Sequence, residues 1–500
     1  MKLREGWIVA VVLLSASGAR AGLAVPPHLI SVGLQNSPLA QAGYLDATAY
    51  GADPKGLKDS TSAIQAAIND AMKYAMTTYL PSGTYIVSRT LAGNATFSSS
   101  GCVAATSIGS TGRFPESPSL VGPASGPRPL IKLAPTATGF DSSARPAPLI
   151  FFQLVQSGSN WLQTADCFFY AVLRDIDLDL GGHAGAIGIQ FAAAQYSYME
   201  NISVNAKGAY AGIYGVPSVE TNVNLSVTGG QYGIIPETCC GISLVGVTLA
   251  DQVVAGLKLN NFGATAVTGF DITESEGSAV INAGWAQTSQ GVLIDGRITM
   301  TNGAAPAVAN GNNDFYMRNV YVKTPGAIVH SGSNKPILAG PGTALVEEYS
   351  YTNPTPTTEF GITTTSYTLI GGVLGQAELA TVKSNVSSVP SDLLTRNLPG
   401  PLPWFEDRGV VNVVGLGADP TGVADSTSAI QRALNSGTEV FVPRGDYKLS
   451  GTLQLKANSR FFGLPGYRSR FGASSSWNPN NTLVYMVRSA STSTSATHLG

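Results

Sequence analysis

The chain of 500 residues is poor in charge and in metal-binding side chains. Asp, Glu, Lys and Arg together make up 12%, and there are four His and four Cys. It has no basic tract that could neutralise a row of phosphates, so nucleic acid is not an expected partner. No stretch reaches the roughly 18 uninterrupted apolar residues of a transmembrane helix, so no membrane association is expected. Without a Cys-x-x-Cys pair we predict no metal site and no cofactor.

The N-terminus has the pattern of an export signal. Basic side chains in residues 1–4 precede the apolar run at residues 7–14, and the small-residue triplet Ala19-Arg20-Ala21 follows. This pattern predicts a signal peptide over residues 1–21 and therefore a secreted, extracellular protein, which we expect to be a monomer.

The cysteines suit an exported protein but are too few to form the framework of so long a chain. They are Cys102, Cys167, Cys239 and Cys240. Three pairings are possible, of which we favour a Cys102–Cys167 disulfide.

The strongest internal signal is a duplicated start. The phrase GADPKGLKDSTSAIQAAI at residues 51–68 recurs as GADPTGVADSTSAIQRAL at residues 417–434, with 13 of 18 positions identical. Each copy leads into a second shared phrase, LPSGTYIVSRTL from Leu80 and VPRGDYKLSGTL from Val442. The chain therefore begins the same structure twice.

The duplicated phrase predicts a helix, a turn and a strand. In the first copy Ile64, Ile68 and Met72 fall on one face of a helix, and Asp59 or Ser60 can cap its N-terminus. A Pro-Ser-Gly turn then precedes an alternating strand. A helix at this position can cover the open edge of a stack of strands.

Short strand phrases recur between the two copies, as in RDIDL, ENISV and VNLSV. Their central apolar residues are Ile176, Ile202, Leu225, Val247, Phe270, Ile298 and Val320, with a mean step of 24 residues. A coil of that length holds three short strands and three turns. The alternative, a β-sandwich of hairpins, predicts strands every 8 to 12 residues and frequent Asn-Gly or Asp-Gly loops. We therefore predict an all-β protein, a right-handed parallel β-helix.

The two starts divide the chain into two domains. A group of prolines from Pro390 to Pro403 marks a linker over residues 387–403. We predict a first β-helix domain with an N-terminal capping helix over residues 45–386. Residues 404–500 are predicted to hold the start of a second, incomplete β-helix.

The paired GADP...DSTSAIQ and LPSGTY phrases resemble the N-terminal module of the pectate lyase superfamily, which rhamnogalacturonase-like and epimerase-like β-helices share with some phage tailspikes. This resemblance implies a pectin lyase-like fold and leaves the reaction open. Two modules in tandem resemble the twin β-helix of glycoside hydrolase family 55, the exo-β-1,3-glucanases.

One segment of the first unit is similar to the site region of that family. The family has Gly-Ile-His-Trp-Gln-x-Ala-Gln where this chain has residues 188–195. Gln195 keeps the second glutamine, Ala192 replaces the first, and Gln190 and Phe191 replace the His-Trp pair. The resemblance implies that glutamines of the first helix hold the attacking water and that a glutamate of the second helix is the acid. We therefore predict that Gln195 positions water, whereas no match to the acid is found before Gly500.

Two acidic residues are further candidates for catalysis. An inverting glycosidase needs a carboxylic acid that protonates the leaving oxygen and a group that positions water on the opposite face. Glu237 lies in a predicted turn beside Cys239. Asp179 extends a row with Asp175 and Asp177, which alternation places on one strand face. Such a row could bind sugar hydroxyls or Ca²⁺, act in acid/base chemistry, or serve as a solvated face.

Aromatic rings stack on sugar faces while neighbouring amides satisfy the hydroxyls. The predicted substrate-binding residues are Gln190, Phe191, Tyr196 and Tyr232. For the aromatic members the alternative is a place in the core, and for Gln195 it is an internal amide ladder between coils.

These observations predict a carbohydrate-active protein, a glycoside hydrolase that acts on β-1,3-glucan or a related polysaccharide. Its 29 basic residues are spread along the chain, which favours a neutral polymer over a polyuronate. The Asn-Thr-Asp, Gly-His-Gly and Arg-Ile-Lys signatures of polygalacturonases are absent, as is the Trp-Ile-Asp-His segment of calcium pectate lyases. The alternatives are a polysaccharide lyase or rhamnogalacturonase-like β-helix enzyme, and a non-catalytic polysaccharide-binding β-helix.

Overall fold

A computed structural model describes most of the chain beyond the predicted signal peptide. The described residues are 23–93, 95–97, 117–156, 168–238, 240–260, 263–283, 289–332, 334–353, 357–359, 362–364, 367–375, 378–401, 403–466, 468–475, 477, 486–489 and 498–499. The predicted signal peptide and the predicted Cys102–Cys167 disulfide lie outside them. The α-helices are Pro27–Ser31, Pro38–Ala42, Thr61–Lys73 and Thr427–Ser436, and the 3₁₀ turns are Ala47–Tyr50 and Val414–Leu416. None of these helices is long and apolar enough to cross a membrane.

The first solenoid has two long sheets, and the strands of each follow one another in chain order. Along sheet A these strands are Tyr44–Asp46, Thr77–Tyr79, Ser119–Val121, Val172–Asp179, Tyr198–Asn205, Thr221–Thr228, Ile242–Ala250, Gly263–Glu274, Ser289–Met300, Phe315–Lys323, Ala344–Tyr351 and Glu378–Lys383, with Lys55–Asp59, Thr84–Val87 and Leu130–Leu133 as a side branch. Along sheet B they are Leu91–Ala92, Ala147–Phe151, Ala186–Gln190, Ala211–Tyr214, Tyr232–Ile235, Ala255–Leu259, Ser278–Asn282, Val308–Asn310, Ala327–Ser331 and Ile337–Leu338. The right-handed parallel β-helix is thereby confirmed.

Shorter sheets complete the described structure. In the first solenoid Ala95–Phe97 pairs with Leu154–Gln156, Thr357–Glu359 with Ile362–Thr364, and Thr368–Ile370 with Val373–Gly375. The second solenoid has three sheets: Val411–Asn412, Glu439–Val442, Arg460–Gly463 and His498–Leu499; Thr421–Asp425, Gly445–Leu449 and Ser469–Ala473; and Leu453–Leu455 with Val487–Ser489. All described pairings of the second solenoid are parallel.

The first solenoid ends in antiparallel strands. Ala344–Tyr351 runs antiparallel to Phe315–Lys323, and Ile337–Leu338 runs antiparallel to Ala327–Ser331. Parallel stacking along these two sheets therefore stops at the coil that contains Phe315–Lys323. Antiparallel strands that fold back in this way cover an edge that would otherwise pair with another chain.

Apolar columns fill the interior of the first solenoid. Ile176, Ile202, Leu225, Val247 and Phe270 stand opposite one another in successive strands of sheet A, and all are fully buried. Burying side chains of this size stabilises the fold by roughly 1.5–3 kcal/mol each. The 24-residue period read from the sequence is the length of one such coil.

The alignment of strand phrases is wrong at one coil. Phe270 pairs with Gly296, which pairs with Val320, whereas Ile298 pairs with Ile272. A Cβ atom on Gly296 would lie 2.2 Å from the Phe270 ring, so only glycine leaves room for that ring. Because strand side chains alternate with a period of two, an alignment shifted by two residues keeps the same polar-apolar pattern. The pattern therefore does not reveal that Gly296 takes the column position.

In the seven strands of sheet A from Val172–Asp179 to Phe315–Lys323, a bend interrupts the strand just before its column residue. The residues at the bend have positive φ angles and are Asp175, Asn201, Asn224, Gly246, Gly269, Asp295 and Asn319. Asn, Asp and Gly adopt this left-handed conformation at the lowest cost. Asn201 Nδ2 donates to Asp175 Oδ1 (2.7 Å), and Asn224 Nδ2 donates to Asn201 Oδ1 (2.8 Å). Side-chain hydrogen bonds therefore link the first three of these bends from coil to coil.

The duplicated phrase builds the same turn twice. The Asp53 carboxylate accepts the backbone N–H groups of Lys55, Leu57 and Lys58, and Asp419 does the same for Thr421, Val423 and Ala424. The backbone N–H of Asp53 donates to Ser60 Oγ (2.9 Å), so that hydroxyl is not the helix cap. Asp59 caps the helix instead, because its Oδ1 accepts the Thr61 N–H (2.8 Å). Of the two predicted caps, the structure selects Asp59.

The second solenoid packs against the N-terminal coils of the first. After Lys383 the chain returns along sheet A, where Asn397 Nδ2 donates to Asp295 Oδ2 (3.1 Å). It then places the Trp404 ring 4.9 Å from the Tyr44 ring. Arg468 of the second solenoid, which is 3% exposed, donates to the carbonyl oxygens of Met76 and Ser117 in the first. The predicted linker is thus a packed segment.

Replacing Arg468 by Ala should destabilise the protein by about 3 kcal/mol or more, because buried carbonyl oxygens of both solenoids lose a charged donor. We expect a lower melting temperature in differential scanning calorimetry. Arg432→Ala is the matched control, since Arg432 is exposed on the second capping helix, and it should change stability by less than about 0.5 kcal/mol. Equal melting temperatures for the two variants would contradict this account of the interface.

Candidate functional site

The segments that lead from sheet B to sheet A stack on one another in three consecutive coils. They comprise residues 191–197, 215–220, and 236–238 with 240–241, and we call them the connection face. The Ser218 N–H donates to Ala193 O (2.9 Å), and the Val219 N–H donates to Gly241 O (2.7 Å). Backbone hydrogen bonds between coils therefore fix this face, on which polar side chains are held in set positions.

Glu237 is half-buried at the edge of the connection face next to sheet B. Its Oε2 accepts hydrogen bonds from Tyr214 OH (2.6 Å) and from Asn260 Nδ2 (3.2 Å). Burial, and then the hydrogen bond to Glu237, raise the pKa of Tyr214, so the phenol stays protonated and donates. These two donors hold the Glu237 carboxylate in a fixed position. Such a carboxylate is suited to accept a proton or to stabilise a positive charge.

A tyrosine cluster lies beside Glu237. Ile187, Ala211 and Ile235 of sheet B form an apolar patch that is separate from the solenoid interior, and the rings of Tyr210, Tyr214 and Tyr232 pack against it. The Tyr210 and Tyr232 ring centroids are 5.6 Å apart, and Lys258 Nζ lies 4.8 Å from the Tyr232 centroid. Aromatic rings with polar neighbours can contact the C–H faces of a sugar.

Gln190 joins the same part of the molecule. It stands opposite Tyr214 in sheet B and is 3% exposed. Its Nε2 donates to Gln153 Oε1 (3.0 Å), while its own Oε1 is buried without a hydrogen-bond partner among the described residues. The structure therefore brings together Gln190, Tyr232 and Glu237, three of the seven predicted site residues.

Gln195 and Tyr196 lie at the other edge of the connection face, next to sheet A, and both side chains are exposed. The Tyr196 ring stacks on the Tyr170 ring with centroids 4.9 Å apart and planes 5° from parallel. The Tyr196 N–H donates to Glu220 Oε1 (3.2 Å). An exposed Gln195 is not part of an internal amide ladder; that role belongs to Asn282, whose Nδ2 donates to Asn310 Oδ1 (3.1 Å).

The burial of Phe191 contradicts its prediction as a substrate-binding residue, whereas the role of Asp179 stays a prediction. Phe191 is fully buried in the core and meets Phe152 edge-to-face at 5.5 Å, so it cannot contact a substrate. Asp179 is the last residue of the strand Val172–Asp179. Its carboxylate pairs with Lys132 (3.2 Å) and accepts the Gly181 N–H (3.0 Å).

The predicted row of carboxylates resolves into separate ion pairs. Asp177 pairs with Arg128 (2.7 Å). Asp175 sits at the bend and pairs with Arg174 (3.1 Å), because the positive φ there interrupts the alternation of side chains. Among the described residues, no group of three or more His, Cys, Asp or Glu side chains is placed to hold a metal ion.

Glu220 and Asn260 were not anticipated from the sequence. Each stands in a short segment between strands, where no periodic pattern marks it. Glu220 precedes the strand Thr221–Thr228, and Asn260 follows the strand Ala255–Leu259. Stacking of coils brings Asn260 to Glu237 across 23 positions of sequence, a distance that equals about one coil. A coil-to-coil alignment is therefore the signal that could have identified Asn260.

Comparison with known proteins identifies the family. The model of the family described as "Rhamnogalacturonase A/epimerase, pectate lyase-like" matches residues 44–340 and 410–498. The chain belongs to this family. The two matched ranges contain the two copies of the duplicated phrase, and the resemblance to the pectate lyase superfamily is confirmed. The family is named for carbohydrate-acting enzymes.

Individual relatives are more distant. The chain is 22% identical to the "Glucan 1,3-beta-glucosidase" of Cochliobolus carbonum, over 85% of this chain and 53% of that protein. It is 26% identical to the "Non-secreted LysM effector LysM19" of Penicillium expansum, over 85% of this chain and 34% of that protein. The chain thus spans about half of the first relative and about a third of the second.

Among solved structures, ORF18 of Geobacillus virus E2 is 12% identical. The match covers 72% of this chain and 80% of that one, with a TM-score of 0.32. This TM-score is too low to support an argument about function.

Proposed function

We propose that the protein is a secreted glycoside hydrolase that binds a neutral polysaccharide on the connection face, with β-1,3-linked glucan as the first candidate substrate. The observation that carries the proposal is the position of Glu237, whose carboxylate is held by Tyr214 and Asn260 beside the tyrosine cluster. Membership of a family named for carbohydrate-acting enzymes and the similarity to a glucan 1,3-β-glucosidase support it.

Glu237 is assigned the role of base. The Glu237 carboxylate can take a proton from the water that attacks the anomeric carbon, while the tyrosine rings hold the sugar. The glycosidic C–O bond breaks as the leaving oxygen takes a proton from an acid outside the first solenoid, as the family resemblance implies. In the second solenoid, every described acidic side chain accepts structural hydrogen bonds: these are Glu406, Asp407, Asp419, Asp425, Glu439 and Asp446. Glu237 also accepts hydrogen bonds, but it differs from these six because it lies beside the tyrosine cluster.

The substrate class is tested with the whole protein and two polymers. We expect release of reducing sugar from laminarin, a β-1,3-glucan, and none from polygalacturonate. Retention by insoluble β-1,3-glucan without hydrolysis would instead favour the non-catalytic binding protein. Retention by polygalacturonate and not by laminarin would reject a neutral substrate.

Gln195→Ala tests the water-positioning role that the family resemblance implies, at the edge of the connection face opposite to Glu237. If the attacking water is held at this edge, turnover on laminarin should fall about 100-fold while substrate binding stays nearly unchanged. The melting temperature should not change, since the side chain is exposed. Gln252→Ala is the matched amide control: its buried Nε2 donates to the carbonyl oxygens of Ala250, Val227 and Gly229, so this variant should lose stability. Unchanged turnover in folded Gln195→Ala would remove Gln195 from the mechanism.

A further inference from the structure

A groove of about 630 Å³ runs beside the capping helix Thr61–Lys73, in a region that the proposed function does not use. One wall is the outer face of the helix, which includes Ser62 and Ala66, and the rim carries Arg89 and Thr138. Phe140, which is 3% exposed, belongs to the apolar part of the lining. The groove thus combines an apolar part with hydroxyl, amide and guanidinium groups.

The duplicated start shows which groups here are structural. Gln65 links the helix to the strand Leu91–Ala92: its Oε1 accepts the Ala92 N–H (2.8 Å) and its Nε2 donates to Ala92 O (2.7 Å). Gln431 makes the same pair of bonds with the backbone of Gln454 in the second copy (2.8 and 3.1 Å). Residues that both copies share therefore serve the fold that both copies adopt.

Two groove residues differ between the copies. In SRTL and SGTL, Arg89 corresponds to Gly451, and in AIQA and AIQR, Ala66 corresponds to Arg432. In the second copy, Gln431 makes the same hydrogen bonds between helix and strand although Gly451 stands where the first copy has Arg89. The fold therefore does not require an arginine at this position. Arg89 Nη2 donates to Ser62 Oγ at 3.3 Å, on the exposed surface. Its guanidinium has further N–H groups available to a ligand.

The charge balance indicates the class of ligand. Arg89 contacts the first turn of the helix that Asp59 caps with its carboxylate, so one positive and one negative group face the same turn. A groove with hydroxyl and amide walls and a single guanidinium matches sugar hydroxyls, and its apolar part matches the C–H faces of sugar rings. We propose that this groove binds a neutral oligosaccharide, at a site separate from Glu237.

The test uses the whole chain carrying Glu237→Gln, so that no ligand is consumed. Isothermal titration calorimetry with laminarihexaose and with cellohexaose measures the number of binding sites and their affinities. Adding Arg89→Gly installs the residue of the second copy, and Thr138→Trp fills the groove from an exposed position. We expect each change to weaken one site about tenfold or more, the effect of losing a charged hydrogen bond or the space for the ligand.

Arg432→Ala, which removes an arginine from the equivalent helix, should leave that site intact. The proposal is overturned if neither oligosaccharide binds, if both groove variants bind as the parent does, or if trigalacturonate binds more tightly than the neutral probes. Hydrolysis by the wild-type protein is measured separately. The binding result for the groove can therefore be interpreted even if the Glu237 proposal fails. The activity result for Glu237 can likewise be interpreted even if the groove proposal fails.

Discussion

Glu237→Gln should lower turnover on laminarin by about 10²- to 10⁴-fold, the range expected when a general base is removed. The variant should keep its fold, because a glutamine oxygen can still accept the hydrogen bond from Tyr214 OH, which is 2.6 Å away in the wild type. Initial rates of reducing-sugar release and the melting temperature together measure the two effects.

Glu347→Gln is the control for this variant. The Glu347 carboxylate contacts Lys383 in the antiparallel part of sheet A, far along the chain from the connection face. Its replacement should leave turnover unchanged. If Glu237→Gln is as active as this control, Glu237 is not the base, and the role of the tyrosine cluster reduces to binding.

Glu274→Gln should make the protein more stable at alkaline pH. Glu274 is fully buried, with Oε2 accepting the Gln252 N–H (2.7 Å) and Oε1 lacking a hydrogen-bond partner among the described residues. Burial raises the pKa of this carboxyl from 4.5 to about 8. The folded state therefore keeps a proton that the unfolded state has already released.

The direction of the pH effect follows from this difference. Between pH 4.5 and pH 8 the unfolded chain binds fewer protons at this position, so stability falls as the pH rises through that window and then levels off. The loss is about 5 kcal/mol, at about 1.4 kcal/mol for each unit of pKa shift. Glutamine does not titrate, so the variant should lose this dependence.

Melting temperatures at pH 5 and pH 9 measure the effect. The variant should resemble the wild type at pH 5 and should melt at a higher temperature than the wild type at pH 9. Glu276→Gln is the matched control, because Glu276 is exposed two residues away and should give equal melting temperatures to the wild type at both values. A Glu274→Gln difference that is the same at pH 5 and pH 9 would show that Glu274 is already ionised in the folded protein.

The fold was predictable because it repeats. Each coil reuses one local pattern, an alternating strand followed by small and polar turn residues, so the period could be counted without knowing any contact. The duplicated phrase was equally readable, because its Asp, Ser and Gln side chains bond to backbone groups only a few positions away or in the next strand. Gly296 was misplaced, since a two-residue shift leaves the alternation unchanged.

The candidate site was predictable only in part. Glu237, Tyr232 and Gln190 were identified from their chemical type and position in the chain, and they do lie together. Phe191 was misassigned because an aromatic side chain next to a strand end can point inward or outward, and the pattern of one coil does not decide which. Its burial became evident only from the packing against Phe152.

Local sequence patterns therefore determine the coil, the capping helix and the tandem start, because each depends on contacts within about one coil. Stacking decides the rest. It brings Asn260 within hydrogen-bonding distance of Glu237, and it buries Glu274, which raises the pKa of that carboxyl. It also lets Arg468 of the second solenoid donate to carbonyl oxygens of the first. These contacts join residues from about one coil to 392 positions apart. No periodicity marks them, since they depend on which turn faces which in three dimensions.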